Sequence, residues 1–291
     1  MGLEHFAEHR VISQAVWRGA ACHPEISMKI RRLIYQAVAI AVGVHLLAVP
    51  AVGQSPDATS QGSQQSTDAL SVQCRVPGSV LFSLAPLQQA RLAVEQRRRL
   101  KVLALGPTSA SALGQGTGLA PFPLRLEHEF EKVLPGADVI VEARSLPGEI
   151  TAQALASIMS LVSEVEPELI VWQVGISDAL AQVDVATFSE ALNEVLAFFR
   201  AHHIDAILVE PPYTTALERD HHFAELLAAI SNRARENGVV VIRRSAAMRY
   251  LAEQTDAGRS RFELQNLGYH CTAEHVAYVV RLAMKASRAL K

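Results

Sequence analysis

The sequence predicts a three-layer α/β/α domain, a doubly wound parallel sheet of about five strands between two helical layers. Three observations predict it. Short runs rich in β-branched residues recur along the chain, segments of helical period separate them, and the runs are apolar on both faces, as strands covered from both sides must be. A chain of 291 residues with 49% apolar content buries a substantial core in one such domain.

The elements follow in order. A helical segment, Leu84 to Arg99, leads into the apolar run KVLAL at 101–105. Further strands are read at Asp138 to Glu142, Glu168 to Val174, Asp205 to Glu210 and Val239 to Arg243. Between and after them lie helical segments: Leu124 to Val133, Thr151 to Val165, Thr187 to His202, Ala216 to Asn237 and Thr272 to Leu290. Asn237-Gly238 marks a helix stop, since glycine accepts the left-handed conformation that ends a helix. Ligands of doubly wound sheets bind beyond the carboxyl ends of the strands. The stretches to examine are therefore GPTS from Gly106, ARSLPGE from Ala143, GISDAL from Gly175 and EPPY from Glu210.

Ahead of the domain, MKIRRLIYQAVAIAVGVHLLAVPAVGQS has a basic start, an apolar run and small residues before Gln54. That is the plan of a secretory signal over 28–53. Met1 to Ser27 lacks it and reads as an extension upstream of the true start at Met28. An uncleaved anchor is the alternative, the apolar run being marginally long enough to span a bilayer. Either way the domain is expected outside the cytoplasm, in a bacterial periplasm or beyond the cell. Residues 54–72 are rich in Ser, Gln and Thr and read as a disordered linker, with the domain proper over 73–291.

Composition excludes some classes. The formal net charge of −2 leaves no basic stripe for nucleic acid. Arg97 to Arg99 end a helical segment, where cations suit the helix dipole. His202-His203 and His221-His222 are adjacent pairs whose side chains diverge on a helix, so no metal is expected, and no cofactor. GQGTG at 114–118 raises a nucleotide-binding alternative, but without the G-x-G-x-x-G spacing or a phosphate-loop lysine. Of three cysteines, Cys22 departs with the leader. Cys74 and Cys271 then form either a disulfide, as an oxidising compartment favours, or two buried thiols.

IVWQVGISDAL at 170–180 and NLGYHCTAEHVA at 266–277 carry a family likeness. From about Cys74 onward the chain resembles the SGNH or GDSL hydrolases, esterases and acyl hydrolases of flavodoxin-like architecture. The first segment is similar to that family's third block, a strand ending in Gly-x-Asn-Asp, and the second to the stretch after its catalytic histidine. The resemblance implies a serine nucleophile after the first strand, a glycine and an asparagine donating with the serine's own N–H into an oxyanion hole, and an Asp-x-x-His base pair. The logic is that of nucleophile, base and orienter, with donors placed where negative charge develops.

Carried over residue by residue, Gly106, Gly175 and Asp178 match, and the chemical positions do not. Pro107 and Thr108 stand where Asp and Ser belong, and Ser109 comes one residue late. Ser145 takes the place of the oxyanion glycine and Ser177 that of the asparagine. Glu263 takes the place of the histidine and Ser260 that of the aspartate. Threonine's extra methyl restricts χ1 and crowds its attack. A lost oxyanion donor costs on the order of 10²–10³ in rate. A carboxylate with a reference pKa of about 4.3 is a poor base near neutral pH and opposes a developing oxyanion.

The expectation is an exported acyl-ester or O-acetyl-ester hydrolase fold with weak or lost activity, a pseudo-hydrolase holding a small acylated or carbohydrate ligand. The alternative is an active hydrolase with Thr108 or Ser109 as nucleophile and His270, read as opening the last helix, as a displaced base. His275 is read as a helix-face residue, and Tyr213 either lines a sugar or acyl pocket or packs in the core.

Overall fold

A computed structural model describes residues 69–106, 122–214, 216–217, 219–254 and 261–289, without the side chains of 261–267 and 269. The leader, the segment 1–27, most of the linker, Pro107 to Ser109, the glycines at 114–118 and Ser260 lie outside the described residues, as does the side chain of Glu263. The chain divides into two units, Met1–Ser55 and Pro56–Lys291, and every described residue belongs to the second.

Among the described residues six strands form one sheet: β1 (Phe82–Ser83), β2 (Arg99–Gly106), β3 (Asp138–Ser145), β4 (Leu169–Gln173), β5 (Asp205–Val209) and β6 (Val240–Ile242). Their spatial order is β1-β6-β5-β4-β2-β3. Neighbours from β2 to β6 pair in parallel, at the five places where the apolar runs were read. The sixth strand, β1, joins β6 antiparallel at the edge. Two residues carry no periodicity, so this strand left no pattern to read.

The helices are α1 (Gly78–Leu81), α2 (Gln88–Leu92), α3 (Phe122–Val133), α4 (Thr151–Val165), α5 (Ile176–Leu180), α6 (Val185–Ala201), α7 (His221–Asn237), α8 (Arg244–Gln254) and α9 (Arg261–Ala286). Alternate strand residues enter two separate cores. Val102, Ala104 and Val171 pack with Phe122, Leu126 and Phe130 of α3 and with Val276 and Val280 of α9. Leu103, Leu105, Ile170 and Trp172 pack with Ile158 of α4, Phe188 and Leu192 of α6 and Phe223 of α7. Burial on both faces is why these strands read as unbroken apolar runs.

Several elements depart from the sequence reading. The segment Leu84 to Arg99 is one short α-helix followed by a π-helical turn, Ala93–Arg97, and Arg98 adopts φ 53° to turn the chain into β2. Arg97 pairs with Glu168 and Arg99 with Asp138, so this basic run is tied locally to acidic partners. The last helix begins at Arg261, eleven residues before Thr272, which places His270 within it and not at its start. Gly268 permits the crossing of α8: a Cβ there would lie 2.5 Å from Met248 Cε. The linker also ends earlier than read, since Leu70 is buried in the core and Ser71 binds Glu274 through both its backbone N–H and its hydroxyl.

Cys74 and Cys271 are joined by a disulfide, S–S 2.05 Å, tying the start of the domain to α9. Beside it His275 is buried, with Nε2 2.7 Å from the Cys74 carbonyl oxygen. This corrects its reading as a helix-face residue: the Val72–Cys74 turn packs on α9 there and its Cys74 carbonyl meets the ring. Among the described residues no helix is long and apolar enough to cross a membrane.

Candidate functional site

The parallel strands run in the order second, first, third, fourth, fifth of their sequence, so the direction of winding reverses between β2 and β4. A doubly wound sheet opens its crevice there, beyond the carboxyl ends of the strands. Gly106 ends β2, Gln173 ends β4, and Gly175 turns the chain from β4 into α5 at φ 92°, a conformation that favours glycine.

A pocket of about 20 Å³ sits at this switch point, lined by Gly106, Glu149, Thr151, Gln173, Ser177 and Asp178 among others. Such a volume holds about one water molecule or one ligand oxygen. The matched positions Gly106, Gly175, Ser177 and Asp178 are thus brought together. Ser177 is half-buried on the first turn of α5. Ser145 pairs across from Gly106 but is exposed, and the β3–α4 connection reaches the pocket through Leu146 and Glu149 instead. Tyr213 is half-buried beyond the end of β5, off the pocket wall.

Asp178 is committed to structure. It is 2% exposed and accepts from the Thr151 backbone N–H and from the Thr151 hydroxyl, each at 2.9 Å. Burial raises its pKa, and the two bonds from Thr151 oppose that rise. The carboxylate serves the N-terminus of α4, where orphan N–H groups favour negative charge, and so clamps the β3–α4 connection to the β4–α5 turn. Thr151→Val removes one of these bonds and leaves a buried carboxylate oxygen without it. Stability is expected to fall by about 1–2 kcal/mol; a urea midpoint equal to that of the wild type would show that the bond contributes nothing.

Two residues that the sequence reading passed over complete the site. Gln173 is buried at the end of an otherwise apolar strand, and Arg244, 2% exposed, donates from Nη1 to its Oε1 at 3.0 Å. The one polar residue of LIVWQ, at its end, was the available signal for the first. None existed for the second, 71 residues away. Glu149 adds an acceptor: Oε1 receives the Ser157 hydroxyl at 3.2 Å, and Oε2 is buried with no partner among the described residues. Glu210, buried where β5 ends, has its pKa raised to about 7 by burial, against the pull of Arg243 and a backbone bond from Ser245.

The histidines lie elsewhere. His270 is half-buried on α9 with Nε2 3.1 Å from Gln73 Nε2, beside the disulfide, and is not part of the pocket wall. His202 Nδ1 meets the Phe198 carbonyl, His221 faces Glu225, and His222 Nε2 meets the Val183 carbonyl. The one cluster of metal-ligand types among the described residues, Cys74, His270 and Glu274, spends its thiol on the disulfide and its carboxylate on Ser71. Trp172 packs edge-to-face on Phe199 in the core, at a centroid distance of 6.4 Å.

Residues 73–285 match the model of the Non-GDSL lipase-like family. No curated protein matches significantly. Among solved structures, a catalytic mutant of Axe2, an acetylxylan esterase from Geobacillus stearothermophilus, superposes with a TM-score of 0.53 at 15% identity, over 62% of this chain and 94% of that one. LAE5, an alpha/beta hydrolase enzyme from the metagenome of Lake Arreo, superposes with a TM-score of 0.51 at 17% identity, over 65% of this chain and 96% of that one. At these identities the likeness is one of fold.

Proposed function

Because this chain belongs to the Non-GDSL lipase-like family, we propose that it is an exported protein that receives a small acylated ligand, an acyl ester or an O-acetylated carbohydrate, at the carboxyl edge of its sheet. Its hydrolysis of that ligand is far slower than that of relatives bearing the full serine signature. The observation that carries the reading is the one-oxygen pocket at the switch point between Gly106 and the Gly175 turn, the address of an oxyanion hole, in which Ser177 stands where the SGNH hydrolases that the chain resembles have asparagine. A carbonyl oxygen fits there. His270, the displaced-base candidate, faces Gln73 and lies off the pocket wall, which supports slow turnover. In enzymes that lose a triad member, oxyanion-hole and binding contributions still leave about 10³–10⁴-fold acceleration over water, so slow turnover is compatible with the site.

Export rests on the leader pattern at 28–53, and the first residue of the mature chain, read by N-terminal sequencing, tests it. The function is tested by hydrolysis of short-chain aryl acetates by the purified protein beside Thr108→Ala, Ser109→Ala and His270→Ala. Slow turnover that none of the three abolishes is the expected result. Fast turnover lost in one of them would replace this reading with that of an active hydrolase and identify its nucleophile or base.

A further inference from the structure

We infer that the side-chain amide of Gln173 is the donor that receives the acyl oxygen of the ligand, held in that orientation by Arg244; the inference rests on the acyl-ligand reading above. An amide's oxygen and nitrogen are nearly interchangeable in shape, and the surrounding network assigns them. Here the neighbour is an arginine, which has donors and no acceptor, so the side of the amide facing Nη1 is Oε1, at 3.0 Å. Nε2 then turns toward Gly106. It lies 2.8 Å from where a Cβ on Gly106 would stand, and only glycine leaves that approach open. Gly106 and Gln173 both line the one-oxygen pocket.

The arrangement is costly unless it is used. The other residues of β4, Leu169 to Trp172, are buried and apolar, and a polar pair placed among them loses its hydration. In return the guanidinium polarises the amide it holds, strengthening the bond the far side can donate. Gln173 therefore supplies from the strand end what the asparagine of the SGNH hydrolases supplies from the turn, with Ser177 lining the same pocket. As the carbonyl oxygen gains negative charge during attack, the amide N–H stays bonded to nitrogen and only donates; no proton leaves Gln173. Arg244 acts through Gln173 and is a positioning residue.

Gln173→Glu is the discriminating variant, because it keeps the shape, faces Arg244 with an opposite charge, and removes both N–H donors. In ¹⁵N-labelled full-length protein, the Gln173 side-chain amide is the pair of signals missing from Gln173→Glu. On titration with sodium acetate, a carboxylate probe for the acyl oxygen, these signals are expected to shift saturably, and Arg244→Lys to move their starting position and weaken the shift at least tenfold. Gln173→Glu is expected to melt with the wild type and to lower aryl-acetate kcat by about 10²–10³ with little change in KM. Acetate leaving the Gln173 amide unmoved, whether or not Gly106 and Ser177 respond, overturns the inference, as does turnover unaltered in a folded Gln173→Glu. A wild type that shifts on acetate but never turns over an ester removes hydrolysis from the proposed function and leaves the donor assignment standing.

Discussion

Cys74→Ala/Cys271→Ala is expected to lose about 4–5 kcal/mol of stability, the largest effect of any change outside the pocket. The disulfide joins positions 197 residues apart, so in the unfolded chain it closes a loop nearly as long as the domain. In the chain-entropy account the stabilisation grows with the logarithm of that length, reaching about 4.7 kcal/mol for a 100-residue loop. Both cysteines are buried, at 0% and 1% exposure, and the Cys74 carbonyl oxygen is held by His275. Losing the bond therefore also loosens the Val72–Cys74 turn from α9. For a domain of this size the loss lowers Tm by roughly 10–15 °C. Thermal melts of the variant, and of the wild type with and without a dithiol reductant, measure it. A melt that reductant and mutation both leave within about 2 °C of the oxidised wild type would show that the bond constrains nothing the fold does not already hold.

Glu210→Gln is expected to be more stable than the wild type at pH 8, by up to about 3 kcal/mol, and equal to it at pH 4. Burial raises the folded pKa from 4.5 to about 7, so between those values the folded state holds a proton that the unfolded state has released. Stability then falls as pH rises through that window, and the penalty is complete above about pH 7. Glutamine stays neutral and escapes it. Two other groups shape the wild-type profile. Asp205, raised to about 6 by burial against bonds from the backbone of Ala90, Gln89 and Gln88, adds to the same downward slope. His275, lowered to about 4 by burial, works the other way: its unfolded form binds the proton first, so stability is lost as pH falls from 6.5 toward 4. Across about pH 5–6.5 the wild type is expected to lose stability as pH rises, since the slopes of Glu210 and Asp205 together outweigh that of His275, and the variant, with Asp205 and His275 opposed, to be nearly flat over the same range. Urea midpoints of both proteins at about pH 4, 6 and 8 test this; a difference that stays constant with pH would remove Glu210 as its source.

What the sequence determined by itself was local and periodic. A strand buried on both faces must be apolar at every position, so the five parallel strands were legible, and with them the loops at their carboxyl ends. Gly106 and the Gly175 turn were legible for the same reason, as the ends of such runs. Likewise Cys74 and Cys271 could be narrowed to a pair or two thiols by counting alone. The antiparallel β1 was too short to have a period. The start of α9 was not legible, since a glycine inside a helix weakens the local helical signal, and Gly268 sits within α9 where Met248 crosses.

Only the tertiary structure decided which of these ends share a pocket. It placed His270 against Gln73, set Asp178 to clamp Thr151, and brought Arg244 to Gln173 across 71 residues. Periodicity records how much each residue is buried, and burial depends on the residue's own element. Hydrogen bonds between side chains depend on strand order, register and helix crossing, which the packing of the whole chain sets and no short stretch encodes.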